Sequence, residues 1–508
     1  MKSKPMHWKW TELLQAMGAE TPGSGVSADM LGKVLTRAAL AHPAPASRSE
    51  ISKGSMLVRP AVLASGTVGK AVDALLAQDL LTELEKSQGQ AGPPSRPLAV
   101  GSPRWATVGI HVDNQHEGPD KLTGIICGLN RQPLVPEPVE IKVDKEDDRH
   151  SLRGLAEAVR DLTNILLDQV ADLAGISAPP ELLGVGVELG GHVHRGKVID
   201  STHACWDHQV DLGEALTKQL SEDPRLNAVP VIVENDVNAL AIRGYFEGSL
   251  SPFDSVLVAV FPRGVGGALI LNGRLHRGKS GMAPEPGHLA VEYPKNPAAK
   301  RDDDSSPQPA PGPMTFKDEC SCSTKSSKKY GHVDTLATPS RIEGELASLR
   351  PDEQITLEKA AASPRAIFRD DQDQLVVSEE AKILHRAGRA LGRGLTHIIN
   401  IINPGQLVLW LPESLATPAP QSSGTEYLEA AEREIDNAYS TAATDARGGE
   451  DEFRLQVIGY ADDRIGYDGA VAAAATVFNA FIEHARGFDG CPPPDRKKPR
   501  SKPVPAHV

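Results

Sequence analysis

Polar side chains that could bind hydroxyl groups or move a proton follow an apolar run near the middle of the chain. The stretch 229–234 has the composition of a buried strand. It ends at Glu234, and Asn235 and Asp236 follow directly. A carboxylate flanked by amide side chains can bind and orient sugar hydroxyls, and Asp236 could serve as a general base. The alternative is that the triplet only shapes a turn, where Asn and Asp are common.

A second group of polar residues begins at the glycine-rich run that starts at Gly264. The pair Asn272-Gly273 within it is typical of a β-hairpin turn, and Glu285-Pro-Gly-His288 follows. Further along come a Cys-x-Cys pair, Cys320 and Cys322, and the sequence Asn400-Ile-Ile-Asn-Pro404 after a helical pattern.

The third group lies in the first hundred residues, which predict three helices: 29–41, one capped by Ser47 with Glu50 in a capping box, and one from Ser65. In the third helix Val68, Val72, Leu75 and Leu76 share an apolar face, whereas Thr67, Lys70 and Ala71 lie elsewhere. A helix with Ser65, Thr67 and Lys70 at its start can enter a DNA major groove. The Gly/Pro-rich stretch 87–97, which contains Arg96, would be a wing or a linker. The alternative is a small helical domain that packs on the body.

The elements that must position these residues alternate along the chain. Apolar runs predict strands at 105–112, 182–189, 229–234, 255–261 and 406–410, and helical patterns fill 152–174, 212–221, 378–400, 426–440 and 468–486. Ser378 is predicted to be the N-cap of the helix in 378–400. Alternating strands and helices predict an α/β fold, and the hairpin predicts mixed sheets. No internal sequence repeat is visible.

Composition limits the classes of protein. The chain has 508 residues, 40% hydrophobic and 24% charged, which predicts two to four globular domains. The net charge is −13, which argues against a uniformly basic nucleic-acid-binding surface. The first hundred residues carry a small positive charge, so the composition does not exclude a DNA-binding module on an acidic body. Five cysteines are too few for a disulfide framework. Without a long apolar run or a secretory signal, a cytoplasmic protein that does not enter a membrane is expected.

The ordered series of motifs resembles the ROK family of bacterial repressors and sugar kinases. That resemblance implies an actin-like (ribonuclease H-like), two-lobed α/β fold. With the N-terminal module it is similar to the regulator branch, the xylose-repressor or N-acetylglucosamine-repressor-like proteins. The implied division is a winged helix-turn-helix with its linker over 1–100, a first lobe over 101–235, a second lobe over 236–490 with a disordered insertion near 293–318, and a basic, Pro-rich tail over 491–508.

The resemblance also implies a sugar site made of Asn235, Asp236, Glu285 and His288, with Asp236 as the base if the protein is a kinase. Lys329 stands near the position of a further family glutamate, which would favour an anionic ligand such as a sugar phosphate, unless Lys329 only faces solvent.

For metal, the resemblance implies structural zinc on His288, Cys320 and Cys322. Ser327 replaces the third cysteine, so His332 would have to complete the site, because structural zinc needs four ligands. The alternative is a metal-free loop.

The phosphate-binding positions depart from the family pattern. His111, Asp113 and Asn114 replace an Asp and two glycines, Pro262-Arg263-Gly264 replaces a Gly-Thr-Gly loop, and Leu411-Pro412 replaces a Gly-Gly pair. Side chains and negative charge there would crowd and repel a nucleotide, so no ATP is expected.

The resemblance therefore favours a transcriptional regulator that binds operator DNA as a homodimer or homotetramer and senses a sugar or sugar phosphate with a pseudokinase body. The alternatives are an ATP-dependent carbohydrate kinase, glucokinase-like, and a non-catalytic scaffold.

Overall fold

The computed structural model describes residues 8–19, 24–41, 45–54, 62–85, 96–113, 120–143, 152–173, 179–200, 209–251, 254–292, 331–369, 375–438 and 453–487. The predicted insertion at 293–318, the tail from 491, and Asn114, Cys320, Cys322, Ser327 and Lys329 lie outside these ranges.

The N-terminal module contains four helices and a two-stranded antiparallel sheet: α1 (Trp8–Ala16), α2 (Ala28–Leu40), α3 (Arg48–Lys53), α4 (Ser65–Ala77), β1 (Leu81–Glu83) and β2 (Leu98–Val100). The capping box predicted at Ser47 and Glu50 is confirmed, because each side chain accepts the other residue's backbone N–H. Helices α2, α3 and α4 followed by the β1–β2 hairpin form the predicted winged helix-turn-helix arrangement.

The long connection between α3 and α4 is anchored at both ends. The backbone N–H of Leu63 donates to the Ser52 carbonyl over 2.9 Å, and the Ser52 hydroxyl donates back to the Leu63 carbonyl over 2.7 Å. The buried Arg37 of α2 also donates to the carbonyls of Ile51 and Ser52. These bonds fix where α4 begins relative to α3.

The first lobe is a five-stranded mixed sheet with helices. Its elements are β3 (Trp105–Asp113), β4 (Asp120–Gly128), β5 (Val139–Val143), α5 (Leu152–Ala171), β6 (Glu181–Leu189), β7 (His192–His194), β8 (Lys197–Asp200), α6 (Leu212–Ser221), β9 (Val231–Asn235) and α7 (Asp236–Glu247). The strand order is β5-β4-β3-β6-β9, and β3, β6 and β9 are parallel.

The second lobe repeats that plan. Its elements are β10 (Ser255–Phe261), β11 (Gly264–Leu271), β12 (Arg274–Leu275), a 3-10 helix (Pro286–His288), α8 (Asp334–Ala337), α9 (Pro339–Leu349), α10 (Leu357–Ala362), β13 (Ala366–Arg369), β14 (Leu375–Val377), α11 (Glu379–Ile402), β15 (Gln406–Pro412), α12 (Glu413–Ala416), α13 (Thr425–Ala438), β16 (Arg454–Tyr460) and α14 (Ile465–Ala485). Its strand order, β12-β11-β10-β15-β16, has the same sequence of two antiparallel and two parallel pairings. The architecture is thus duplicated although the sequence shows no repeat.

The last helix, α14, returns to the first lobe. Its alanine-rich middle packs against β3, β4 and β6, and against α7. The predicted boundary at residue 235 assigns α14 to the second lobe, yet its side chains lie on the first. A segment that includes this helix, Asp462–Ala485, has the length and hydropathy of a membrane span, but 67% of its most apolar window is buried inside the protein. Core packing therefore accounts for its apolarity.

The N-terminal module and the body share one hydrophobic core. Trp10 of α1 lies edge-on to Phe481 of α14, with ring centroids 5.8 Å apart, and its indole N–H donates to the Leu183 carbonyl over 2.8 Å. Leu31 and Leu35 of α2 belong to the same buried cluster. The module therefore sits on the end of α14 as part of the folded body.

Candidate functional site

The junction of β9 and α7 holds two of the predicted sugar-binding residues. Asn235 is the N-cap of α7, and its side-chain oxygen accepts from the Asn238 N–H over 3.1 Å. Its amide nitrogen donates to the Gly191 carbonyl over 3.0 Å and to Asp236 over 2.8 Å. Asp236 also accepts the Val237 N–H over 2.8 Å, so both side chains are fixed at the positive end of a helix.

The environment of Asp236 shifts its acidity. Burial raises the pKa of Asp236 to about 7, and the negative charge of Glu188 acts in the same direction, whereas the Val237 N–H and His111 oppose it. Near neutral pH this carboxyl can therefore donate or accept a hydrogen bond. Both roles suit the recognition of a hydroxyl group.

Next to Asp236, His111 and Glu188 form an ion pair. They are direct neighbours across the parallel strands β3 and β6, and the His111 Nδ1 bonds the Glu188 Oε1. Burial opposes a charge on His111, but the Glu188 carboxylate outweighs it and raises the pKa of His111. Gly469 at the start of α14 lies directly above, where a Cβ would come within 2.3 Å of the Glu188 Oε1. The pair thus fills the space beside the predicted phosphate-binding strand.

The other two predicted sugar-binding residues lie on the second lobe, at the 3-10 helix. The Glu285 Oε1 is 2.8 Å from the Nε2 of His192, and its Oε2 is 3.8 Å from the Nε2 of His288. The Nδ1 of His288 is 3.5 Å from Asp334, which accepts the Val265 N–H over 2.7 Å. Burial raises the pKa of Asp334, and that N–H opposes the shift.

The structure connects the four predicted residues through a side chain that sequence reasoning missed. Asn235 bonds Gly191, and the next residue, His192 on β7, bonds Glu285. His192 therefore joins the β9–α7 junction of the first lobe to the 3-10 helix of the second. The signal available in the sequence was the run Gly190-Gly191-His192 directly after a strand.

Glu234 has a structural role beneath the site. Its Oε2 is 2.6 Å from the Arg277 guanidinium, and its Oε1 accepts from the Asn235 N–H and the Asn238 amide. Arg277 also lies 3.7 Å from Glu483 of α14. Glu234 and Arg277 are therefore engaged in holding the β9–α7 junction.

Packed side chains occupy the position in the second lobe where the sequence analysis placed the Gly-Gly pair of a kinase. Leu411 and Pro412 lie within β15 and pair with Gly459 and Tyr460 of β16. Just before them, Trp410 stacks on Tyr460, with ring centroids 4.1 Å apart. The glycine pair expected of a kinase would leave room that these side chains fill.

Only part of the predicted zinc site lies within the residues that the structure describes. His332 is buried, and its ring centroid lies 6.1 Å from that of His288. Since Cys320 and Cys322 lie outside the described ranges, the predicted zinc set stays a prediction.

The predicted DNA-contacting residues lie on α4 and beside the wing. Ser65 and Lys70 are exposed and Thr67 is half-buried, while the Lys70 Nζ is 3.4 Å from the Ser24 carbonyl. Arg96 is exposed, 3.4 Å from Glu83.

Part of the predicted helical face needs correction. Ala71, placed away from the apolar face, is fully buried beside Val68, Val72 and Leu75. Leu76 is only half-buried.

Comparison with known proteins identifies relatives of the whole body. The sequence pattern that defines the ROK family matches residues 140–410. The chain is 23% identical to the xylose repressor of Bacillus spizizenii over 370 residues, 72% of this chain and 78% of that protein. It is also 23% identical to the regulator NagC of Escherichia coli over 373 residues, 72% of this chain and 76% of that protein. Sugar kinases match as well.

A crystal structure of a ROK family transcriptional regulator, a homologue of the E. coli MLC protein, shares the fold. It superimposes with a TM-score of 0.59 and 18% identity, and the alignment covers 90% of this chain and 99% of that one.

Proposed function

The chain belongs to the ROK family, and from that premise we propose that it is a transcriptional regulator that binds operator DNA and senses a sugar or sugar derivative. The observation that carries this proposal is the winged helix-turn-helix module packed onto a ROK body. The names of the matching xylose repressor and of NagC agree with it. Such a regulator would work in the cytoplasm as a homodimer or homotetramer on paired half-sites.

Effector binding is assigned to the connected group Asn235, Asp236, Glu285, His288 and His192. Amide, carboxyl and imidazole groups lie at the junction of the two lobes and offer donors and acceptors for vicinal hydroxyls. Half-buried polar groups of this kind gain most from a ligand that completes their hydrogen bonds.

The body is proposed to be a pseudokinase. The His111–Glu188 pair occupies the space beside the predicted phosphate-binding strand, and Leu411, Pro412 and the Trp410–Tyr460 stack fill the predicted Gly-Gly position. Side chains packed at both positions leave no room for the phosphates or the base of a nucleotide.

A sugar kinase is the second candidate, and one observation favours it. The pKa of Asp236 is raised to about 7, which suits a general base near neutral pH. ATP-dependent phosphorylation of a sugar that is lost in Asp236→Asn would establish this alternative.

The DNA-binding proposal is tested with two single substitutions. DNA fragments captured from the genome by the purified protein provide the probe, and affinity is measured by fluorescence anisotropy at several salt concentrations. Lys70→Ala and Arg96→Ala should each weaken binding and reduce the salt slope by about one unit, because each removes a cation from the DNA surface.

The matched controls are Lys382→Ala and Arg433→Ala, which remove exposed, paired cations from helices of the body. They should bind as wild type. Wild-type affinity and salt slope in both Lys70→Ala and Arg96→Ala would refute the assignment of α4 and the wing to DNA.

A further inference from the structure

Four charged side chains of alternating sign form a continuous ion-pair network across the N-terminal module. Asp73 of α4 lies 2.8 Å from a guanidinium nitrogen of Arg48, the first residue of α3. The other terminal nitrogen of Arg48 is 3.3 Å from the Oε1 of Glu83 on β1. The Oε2 of Glu83 is 3.4 Å from a guanidinium nitrogen of Arg96, which precedes β2. The network therefore runs from the helix proposed to enter the major groove to the base of the wing.

The two central residues of this network stand on a fixed backbone. Arg48 directly follows Ser47, the N-cap whose capping box holds the first turn of α3. Glu83 pairs with Leu98 across the β1–β2 hairpin, which brings it close to Arg96, two residues before Leu98. Their side chains are 37% and 30% exposed, whereas those at the two ends of the network are 67% and 71% exposed. The centre of the network is thus the more enclosed part.

The network is better suited to fixing geometry than to adding stability. A single exposed ion pair contributes little to the free energy of unfolding, because water and salt screen it and both side chains lose rotamer freedom. Arg48 and Glu83 each bond two partners from different elements, so ordering one of these side chains forms two contacts. Burial lowers the pKa of Arg48, but the hydrogen bonds and charges of Asp73 and Glu83 outweigh it and raise that pKa.

Glu83 is a negative charge beside a proposed DNA contact. Phosphates repel a carboxylate near the duplex, so electrostatics alone would favour an uncharged residue at this position. A bridging carboxylate nevertheless has a use, because an exposed arginine has many rotamers and loses that freedom when it binds a phosphate. An Arg96 that Glu83 already holds in place has less freedom to lose on binding.

We propose that Glu83 is a positioning residue for DNA binding. Together with Arg48 it joins α4 to the base of the wing, so that Arg96 and the helix meet the duplex in one fixed geometry. This role rests on the proposed function, since it matters only if α4 and the wing bind DNA.

The test compares two carboxylates that lie two residues apart in the chain. Glu83→Met and Glu85→Met, the second at an exposed position, each remove one negative charge from the full-length protein. DNA affinity is measured by fluorescence anisotropy at several salt concentrations, with the genomic fragment that the wild type captures as the probe. Glu83→Met should weaken binding about three- to tenfold. Its salt slope should fall by about one unit, because Arg96 loses its orientation and with it a phosphate contact.

Glu85→Met is the matched control. It should bind DNA as tightly as the wild type or more tightly, because it removes the same charge without breaking the network. Glu83→Gln keeps the length of the side chain and one acceptor for an arginine, so it should lose less affinity than Glu83→Met. Unfolding temperatures of all variants should change little, since the network is exposed. If Glu83→Met does not fold, Glu83→Gln takes its place in the comparison with Glu85→Met.

Double variants show whether Glu83 acts through Arg48. The affinity losses of Glu83→Met and Arg48→Met should be less than additive, because each breaks the same connection between α4 and the wing. The losses of Glu83→Met and Lys70→Ala should add, because Lys70 lies outside the network.

Three results would overturn the proposal: DNA binding by Glu83→Met as tight as that of Glu85→Met, an unchanged salt slope in Glu83→Met, or strict additivity with Arg48→Met. The proposed function is decided separately. It fails if Lys70→Ala and Arg96→Ala keep the wild-type affinity and salt slope, whereas the role of Glu83 fails if those two variants bind weakly and Glu83→Met does not.

Discussion

The Asp236 carboxyl illustrates how a single residue depends on its surroundings. Its pKa is raised to about 7 by burial and by Glu188. The folded protein therefore holds this proton more tightly than the unfolded chain, where an Asp titrates near 3.9. The resulting contribution to stability is present at low pH and is lost as the pH rises through about 7.

Asp236→Asn should flatten the pH dependence of the unfolding temperature between about pH 4 and pH 7. The asparagine cannot ionise, so the variant should gain stability relative to wild type as the pH rises, by at most about 1.4 kcal/mol per pH unit. Thermal unfolding followed at a series of pH values gives the comparison, because both proteins retain His111 and Glu188.

The control for that comparison is Asp352→Asn, which changes an exposed carboxylate and should run parallel to wild type. Parallel curves for Asp236→Asn and wild type would show that Asp236 is ionised in the folded protein throughout the range.

Sequence reasoning at this scale found the residues whose motifs are contiguous. Asn235, Asp236, Glu285 and His288 lie in recognisable short sequences, and the structure connects them. His192 was missed, since its role depends on how β7 meets the loop of another sheet. Arg277 was missed for the same reason: its partners Glu234 and Glu483 are far away in the sequence.

Among the elements, β3 and β6 carry the first of the predicted phosphate-binding positions. Their adjacent positions carry the His111–Glu188 pair, which α14 covers at Gly469. We expect Mg·ATP to cause no rise in the unfolding temperature and sugars to elicit no ATP hydrolysis, because a ligand that binds the folded state must stabilise it. A ROK glucokinase measured in parallel is the positive control. A clear rise with Mg·ATP would contradict the pseudokinase assignment.

Helix α1 is an element that the sequence did not predict. It is short, and it packs on α14 and β6: Trp10 is 1% exposed and contacts both Phe481 and the Leu183 carbonyl. Trp10→Ala should destabilise the protein by about 3–5 kcal/mol, as expected for a large side chain removed from a core.

The measurement for α1 combines thermal unfolding with limited proteolysis of the N-terminal module. Glu12→Ala, which alters the exposed side of the same helix, should behave as wild type. An unfolding temperature for Trp10→Ala equal to that of Glu12→Ala would show that α1 does not hold the module to the body.

Helices and strands were predicted correctly where the hydrophobic pattern of the sequence is strong. Helices α6 and α11 and strands β3, β6, β10 and β15 have clear periodicity or long apolar runs, and they form where predicted. Strands β4, β5 and β16 escaped prediction, and so did α7, although Asn235 caps it. These are less regular segments that become ordered through their neighbours in a sheet or on α14.

For the whole molecule, the shared strand order of the two lobes shows why the family resemblance predicted more of the fold than the hydrophobic periodicity did. Both sheets run through the same five-strand order, yet no repeat survives in the sequence, because many apolar combinations can fill the same core. The pattern of elements alone predicted an α/β fold; the motif order was needed to identify two lobes and a module before them.

The shared core also determines how the N-terminal module can be studied. Trp10, Leu31 and Leu35 lie in one buried cluster with Tyr245, Phe481 and Ile482 of the body. Deletion of residues 1–100 should therefore expose apolar surface on α7 and α14, lower the unfolding temperature of the remaining chain and promote binding of a hydrophobic dye. The full-length double variant Lys70→Ala/Arg96→Ala should lose DNA affinity. Its unfolding temperature and its dye binding should stay at the wild-type level, since both side chains are exposed. A truncated chain that unfolds at the wild-type temperature and binds no dye would mean that the module docks on the body without completing its core.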